Sequence, residues 1–303
     1  MIAHLVAKFV MAAVFLQWFP SPATPLSLTA LAPAAPDAQS APSKTDPRRI
    51  GVGTSAQSAL VMDQQTGAIL FEKNREEPRA IGSITKLMTA MVFLEGEPDL
   101  EARASLQPED VRTGGIPYVR VGQDVRVRDL LYASLVGSDN SATAALVRLS
   151  GMTQGDFIAR MNETAAQIGM TQTRFVDPAG LSANNTSVVM DLARLVDAAS
   201  RVTVIRDATT HTAFELAVPA IGTATIENTN DLLHSFLHRD PYRIVTAKTG
   251  FLPEAGYCLG ALFSRGGKDE IIVVVLGSQT DVGRFQDAKA LGAWAYEVYE
   301  WKL

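Results

Sequence analysis

The chain has 303 residues, 47% of them hydrophobic and 19% charged, enough for one large or two modest domains with a real core. Its net charge of −5 and its lack of any lysine- or arginine-rich run argue against a nucleic-acid partner. A single cysteine, Cys258 in the apolar run Tyr257-Cys258-Leu259, excludes an intramolecular disulfide and any cysteine-built metal site, and reads as a small buried hydrophobe.

The first residues have the form of an export signal. His4 and Lys8 precede an apolar segment, Phe9 to Phe19, and the small residues of Ser21-Pro22-Ala23 follow. That places a signal peptide over residues 1–23, with Ala30-Leu31-Ala32 as a second candidate cleavage site. The apolar run is too short for a comfortable membrane span. The expectation is an exported protein, periplasmic or otherwise in the cell envelope, soluble after cleavage and anchored only if the signal is retained. Residues 24–56 are rich in Ala, Pro and Ser without an apolar period, which predicts a flexible tether. Gly51-Val52-Gly53-Thr54-Ser55-Ala56 superficially fits a dinucleotide fingerprint, but follows a proline-rich tail and not a strand.

Ala59 to Asp63 and Ala68 to Phe71, joined by Gln64-Gln65-Thr66-Gly67, read as a β-hairpin. A buried helix starts near Ser83, with apolar residues at 84, 87, 88, 91 and 92. Helical periods follow over Val127 to Val136, Ser141 to Leu149, Asp156 to Ile168 and Val188 to Val202. Strand-like composition returns from Ala213. An extended run from Tyr242 to Thr249 ends at Gly250, and Tyr257 to Phe263 and Glu270 to Leu276 flank the turn Arg265-Gly266-Gly267-Lys268. A last helix over Val282 to Trp301 carries an apolar stripe suited to a sheet. The pattern predicts an α/β part from residues 57–95 and 213–303, a mostly helical part over 96–212, and an active site between them.

Three short motifs carry chemistry. Ser83 and Lys86 are neighbours on one helix face. A serine there reads equally as an N-cap, but the helix dipole disfavours a cation in the first turn, so Lys86 has no stabilising reason to be there. An amine beside a hydroxyl at a helix N-terminus can act as base to a nucleophile if desolvation or a second cation lowers its pKa. Ser138-Asp139-Asn140 lies in a loop between helices, although Ser182-Ala183-Asn184 has the same form. Lys248-Thr249-Gly250 closes an apolar strand, where a lysine needs a reason and a glycine permits close approach of a ligand. His234 and His238 stand at i, i+4, but the glutamate of a zincin is absent and no third ligand is evident, so no metal is expected and the pair reads as a solvated helical face.

The order Ser83-x-x-Lys86, Ser138-x-Asn140, Lys248-Thr249-Gly250 resembles the penicillin-recognising serine enzymes. From Ala59 onward, including the stretches 169–181 and 246–251, it is similar to the low-molecular-mass penicillin-binding proteins, the D-alanyl-D-alanine carboxypeptidase and endopeptidase family. The resemblance implies the β-lactamase/DD-peptidase-like transpeptidase fold, an antiparallel sheet flanked by helices. It also implies that Ser83 attacks, Lys86 is its general base and Ser138 relays a proton to the leaving amine. Asn140, Lys248, Thr249 and Gly250 would bind substrate, and the N–H groups of Ser83 and Phe251 would hold the oxyanion. The expected partners are peptidoglycan stem peptides, laid along the Lys248 strand as an added strand, and β-lactams as covalent inhibitors, with no cofactor. The short chain after the last strand, with Glu227-Asn228-Thr229-Asn230-Asp231-Leu232, is nearest the penicillin-binding protein 7 type of endopeptidase, and a short carboxypeptidase remains open. A β-lactamase would need a Glu-x-x-x-Asn after the middle motif, where Arg174 and Asp177 are found instead. A non-catalytic peptidoglycan-binding scaffold on the same fold is the other alternative.

Overall fold

The computed structural model describes residues 40–218 and 222–302. In chain order the elements begin with β1 (Ser43–Lys44), β2 (Ser58–Asp63), β3 (Ile69–Lys73), β4 (Arg79–Ala80), α1 (Thr85–Glu95), β5 (Arg103–Ser105) and β6 (Asp124–Arg126). Next come α2 (Val127–Leu135), α3 (Asn140–Leu149), α4 (Gln154–Gln167), β7 (Thr186–Ser187), α5 (Val189–Ser200) and α6 (Thr203–Thr210). The chain closes with β8 (Ala213–Val218), β9 (Gly222–Glu227), β10 (Tyr242–Leu252), β11 (Gly256–Arg265), β12 (Asp269–Ser278), α7 (Asp281–Val298) and β13 (Tyr299–Glu300).

Five strands form the main sheet in the order β10-β11-β12-β2-β3, every pair antiparallel. Alternation along each strand divides the core into two layers. Leu60, Met62, Cys258, Leu262, Ile272, Val274 and Leu276 join the cluster made with α1, α2, α3 and α5. Their neighbours Ala59, Val61, Leu259, Ala261, Phe263, Ile271, Val273 and Val275 join Phe285, Ala288, Leu291 and Ala295 of α7 on the other face. Both faces are covered, which is why β11 and β12 are apolar at consecutive positions. The fold is mixed α/β, an antiparallel sheet with helices on both sides. Helix α1 is buried from Thr85 to Phe93, as a helix enclosed between a sheet and other helices must be. Strand β10 is an edge of the sheet, so the Lys248 segment has one free ladder side.

Four expectations change. The Tyr242 strand runs past Gly250 to Leu252, because Gly250 and Phe251 still pair with Cys258 and Tyr257. The last helix ends at Val298 and not at Trp301. There Tyr299 and Glu300 pair with Lys44 and Ser43, inside the segment expected to be tether. Pro42 and Ala56 are buried as well, so the tether does not extend to Ala56. The glycine-bearing run 51–56 leads into β2 without a helix, the wrong context for a dinucleotide turn. His234 and His238 fall in two separate 3-10 turns, Asp231–His234 and Phe236–His238, and not on one helix. Nδ1 of His238 accepts from the Ile244 N–H at 3.2 Å. The signal peptide expected over residues 1–23 and the tether up to residue 39 lie outside the described residues.

Candidate active site

Ser83 is the middle residue of a 3-10 turn, Gly82–Ile84, that leads into α1. Its hydroxyl caps nothing: α1 has no side-chain cap, and Lys86 Nζ lies 2.9 Å from Ser83 Oγ. The N-cap reading of Ser83 is thereby set aside. Lys86 is fully buried and has two further partners, Asn140 Oδ1 at 2.8 Å and the Ala179 carbonyl at 2.7 Å. Both can only accept. The orientation of the Asn140 amide follows from its Nδ2, which donates to the Gly114 carbonyl at 2.8 Å. A neutral lysine therefore spends its two N–H bonds on Asn140 and Ala179, and its lone pair is left pointing at the Ser83 hydroxyl. Burial lowers the Lys86 pKa from 10.5 to about 7, against the opposing charges of Asp177 and Asp139. The amine is a usable base near neutrality, and its geometry admits one proton donor.

Ser138 sits between α2 and α3 at φ +59, a left-handed conformation for a residue with a side chain. Asp139 supports that turn: its carboxylate accepts from the N–H groups of Ser141 and Ala142 at the start of α3 and from that of Tyr118. Lys248 Nζ donates to Ser138 Oγ at 3.1 Å and to the Thr249 carbonyl at 3.3 Å. Lys248 is also buried, and its pKa is pushed well down, first by desolvation and then by the charges of Lys86 and Arg284. Thr249 shares a hydroxyl contact of 2.6 Å with Thr229.

Glycines let three backbones meet at Ser83. A Cβ on Gly180 would lie 2.1 Å from the Gly82 carbonyl oxygen, and one on Gly250 would lie 2.3 Å from the Ile81 oxygen. The Phe251 nitrogen lies against Gly82, 2.7 Å from where a Cβ would stand. Strand β10, the 177–182 loop and the start of α1 thus touch main chain to main chain. All the expected site residues, Ser83, Lys86, Ser138, Asn140, Lys248, Thr249, Gly250 and Phe251, fall in this region. The rival triplet Ser182-Ala183-Asn184 does not join the amines: Ser182 Oγ accepts from the Asn184 N–H within its own loop.

Comparison with known proteins identifies the family. Residues 43–280 match the family Peptidase_S11, D-alanyl-D-alanine carboxypeptidase. The chain belongs to this family of serine DD-peptidases. A D-alanyl-D-alanine endopeptidase of Pseudomonas aeruginosa is 34% identical over 240 residues, 78% of this chain and 76% of the relative. The corresponding endopeptidase of Escherichia coli is 33% identical over 242 residues, with the same coverage of 78% and 76%. The carboxypeptidase DacF of Bacillus subtilis is 27% identical over 270 residues, 87% of this chain and 68% of the relative. Among solved structures, the Streptomyces K15 DD-transpeptidase superposes with a TM-score of 0.76 at 28% identity, covering 82% of this chain and 100% of that one.

Residues outside the three motifs also build this region. Asp177 accepts from the N–H groups of Ala179, Gly180 and Leu181 on one oxygen and of Ser182 on the other, which presents the Ala179 carbonyl to Lys86. Asn185, fully buried, accepts from the Val176 and Asp177 N–H groups and donates to the Asp177 carbonyl and Thr85 Oγ1, tying the loop to α1. Arg284, at the start of α7, donates to the Gly250 carbonyl at 3.1 Å. The clue to Arg284 in the sequence is the one used for Lys86, a cation in the first turn of a helix.

Proposed function

We propose that this serine DD-peptidase cleaves D-Ala-containing bonds of peptidoglycan stem peptides through an acyl-enzyme on Ser83. The observation that carries the reading is the buried Lys86 amine, whose Nζ lies 2.9 Å from Ser83 Oγ while Asn140 Oδ1 and the Ala179 carbonyl accept its other bonds. Lys86 takes the proton as Ser83 attacks the carbonyl. The charge on the carbonyl oxygen is received by the Ser83 and Phe251 N–H groups. Ser138, bonded to Lys248, passes a proton to the departing amine, and Asn140 orients Lys86 and the substrate amide. Water then releases the acyl group. The stem peptide lies along the free side of β10 as an added strand.

The acyl-enzyme formed with a β-lactam is released slowly on this reading. Asp177, found in the stretch where a β-lactamase would carry its Glu-x-x-x-Asn, accepts four backbone N–H groups and serves to hold its own loop. Between endopeptidase and carboxypeptidase, the endopeptidase names of the two relatives at 34% and 33% identity support cleavage of cross-links. The same reading places the protein in the bacterial cell envelope after export.

A fluorescent penicillin should label the wild-type protein and not Ser83→Ala; labelling that survives the substitution refutes the nucleophile. Digestion of purified muropeptides, with products identified by mass, separates the two activities. Dimers becoming monomers mean endopeptidase, and loss of the terminal D-Ala alone means carboxypeptidase. Fast turnover of a chromogenic cephalosporin would overturn the reading in favour of a β-lactamase.

A further inference from the structure

Arg284 is a costly residue where it stands. Its side chain is 8% exposed, it occupies the first turn of α7, and its Nε is buried without a hydrogen-bond partner. Burial and the positive end of the helix both disfavour a guanidinium there. Asp281, on the same turn, pairs with Nη2 and is 56% exposed, so it compensates only in part. What the buried group does reach is the catalytic strand, where Nη1 donates to the Gly250 carbonyl.

That carbonyl and the Phe251 N–H belong to one peptide unit. In a trans peptide they point in opposite directions from a rigid plane. Arg284 holds the oxygen side, and the nitrogen side faces Gly82, next to Ser83. A cation bonded to an amide oxygen draws electron density from the nitrogen, so the opposite N–H becomes a stronger donor. The side chains repeat the arrangement. The guanidinium lies 5.5 Å from the Tyr257 ring centroid, and Tyr257 stacks on Phe251 at 4.5 Å. Peptide plane and aromatic ring of Phe251 are thus both braced from the α7 side.

We propose that Arg284 is a positioning residue for the oxyanion site: it fixes and polarises the Gly250–Phe251 peptide so that its N–H meets the charge developing on the scissile carbonyl. This rests on the acyl-enzyme reading above. Arg284 acts through the peptide and makes no contact with substrate.

The test uses the full chain and a penicillin as acylating agent. Arg284→Met keeps the apolar stem and removes the charge and donors; Arg284→Lys keeps a charged donor. In the Met variant, the acylation rate constant read in single turnover falls about tenfold to hundredfold, less than for outright loss of an oxyanion donor, while the dissociation constant of the non-covalent penicillin complex stays within about twofold. The ester carbonyl band of its penicilloyl-enzyme, read by infrared difference spectroscopy, moves to higher wavenumber because the oxyanion site polarises it less. The Lys variant recovers most of both. A dissociation constant of the non-covalent complex that rises at an unchanged acylation rate constant overturns the proposal in favour of a direct substrate contact. A slowed acylation with an unmoved carbonyl band overturns it in favour of a merely structural role. If the Met variant does not fold, Arg284→Gln, a neutral donor, carries the same two readouts. An unmoved band in an acyl-enzyme that does form refutes this proposal alone, whereas a wild-type protein that forms no acyl-enzyme refutes the reading beneath it as well.

Discussion

At the scale of single residues the site turns on the protonation of Lys86. Because burial brings its pKa to about 7, the active neutral form grows as pH rises through that value. The acylation rate is therefore expected to climb between about pH 6 and pH 8 and level off above, as a stopped-flow measurement with a chromogenic penicillin would report. Asp177 acts against this, since its charge favours the ammonium. Asp177→Asn should move the rising limb below pH 7 while lowering the plateau about tenfold or more, because the loop that presents Ala179 loses one of its two acceptor oxygens and gains an amide donor in its place. The same depressed pKa has a cost for the fold. Between about 7 and 10.5 the unfolded chain binds the Lys86 proton and the folded chain does not, so stability rises with pH across that window, and below it the penalty is complete. Lys86→Met should accordingly raise the melting temperature most below pH 7, with the gain shrinking toward pH 10. A gain that does not vary with pH would contradict the lowered pKa.

At the scale of elements, the geometry depends on how closely three segments approach. Gly250→Ala and Gly180→Ala would each drive a Cβ into a main-chain oxygen, at 2.3 Å and 2.1 Å. Gly180 also has φ +78, which strains any side chain. Both variants are expected to lose about a hundredfold or more in acylation, since displacements near 1 Å at the reacting groups are that costly. An alanine tolerated at either position would mean the segments do not touch as described. Much of this level was legible in the sequence. Lys86 was conspicuous because helix physics has no use for it, and Lys248 because it closes an apolar strand, but it was the resemblance of the three motifs to the penicillin-recognising enzymes that gave both amines an expected role before any distance was known. Asp177, Asn185 and the Ala179 carbonyl could not. They act through backbone hydrogen bonds inside a loop, and an Asp or Asn in a loop looks the same whether it orders four N–H groups or none. Arg284 gave the same signal as Lys86, but its partner, the Gly250 oxygen, lies on another element, and spacing says nothing about such pairs.

At the scale of the whole molecule, the sheet is apolar on both faces and the helices close over it, an arrangement that the hydrophobic runs of β11 and β12 already implied. The two ends of the described chain were harder to read. Composition made residues 24–56 a tether, yet two of them pair with β13. A two-residue strand is too short to show a period, and its stability comes from Tyr299 and Trp301, whose polar atoms bond to Leu70 and Asp63 at 2.9 and 2.7 Å. Trp301→Ala should destabilise the protein by about 1–3 kcal/mol, seen as a lower melting temperature, and leave acylation unchanged. A change in acylation would mean that this clasp communicates with the cleft. On the proposed mechanism the site joins residues 83, 86, 138, 179 and 248, so the Ser83–Lys86 pair acquires its distant partners only after the Lys248 strand has left the ribosome. Chains still emerging offer an antibiotic no assembled nucleophile to acylate, and a covalent tag would count folded copies only.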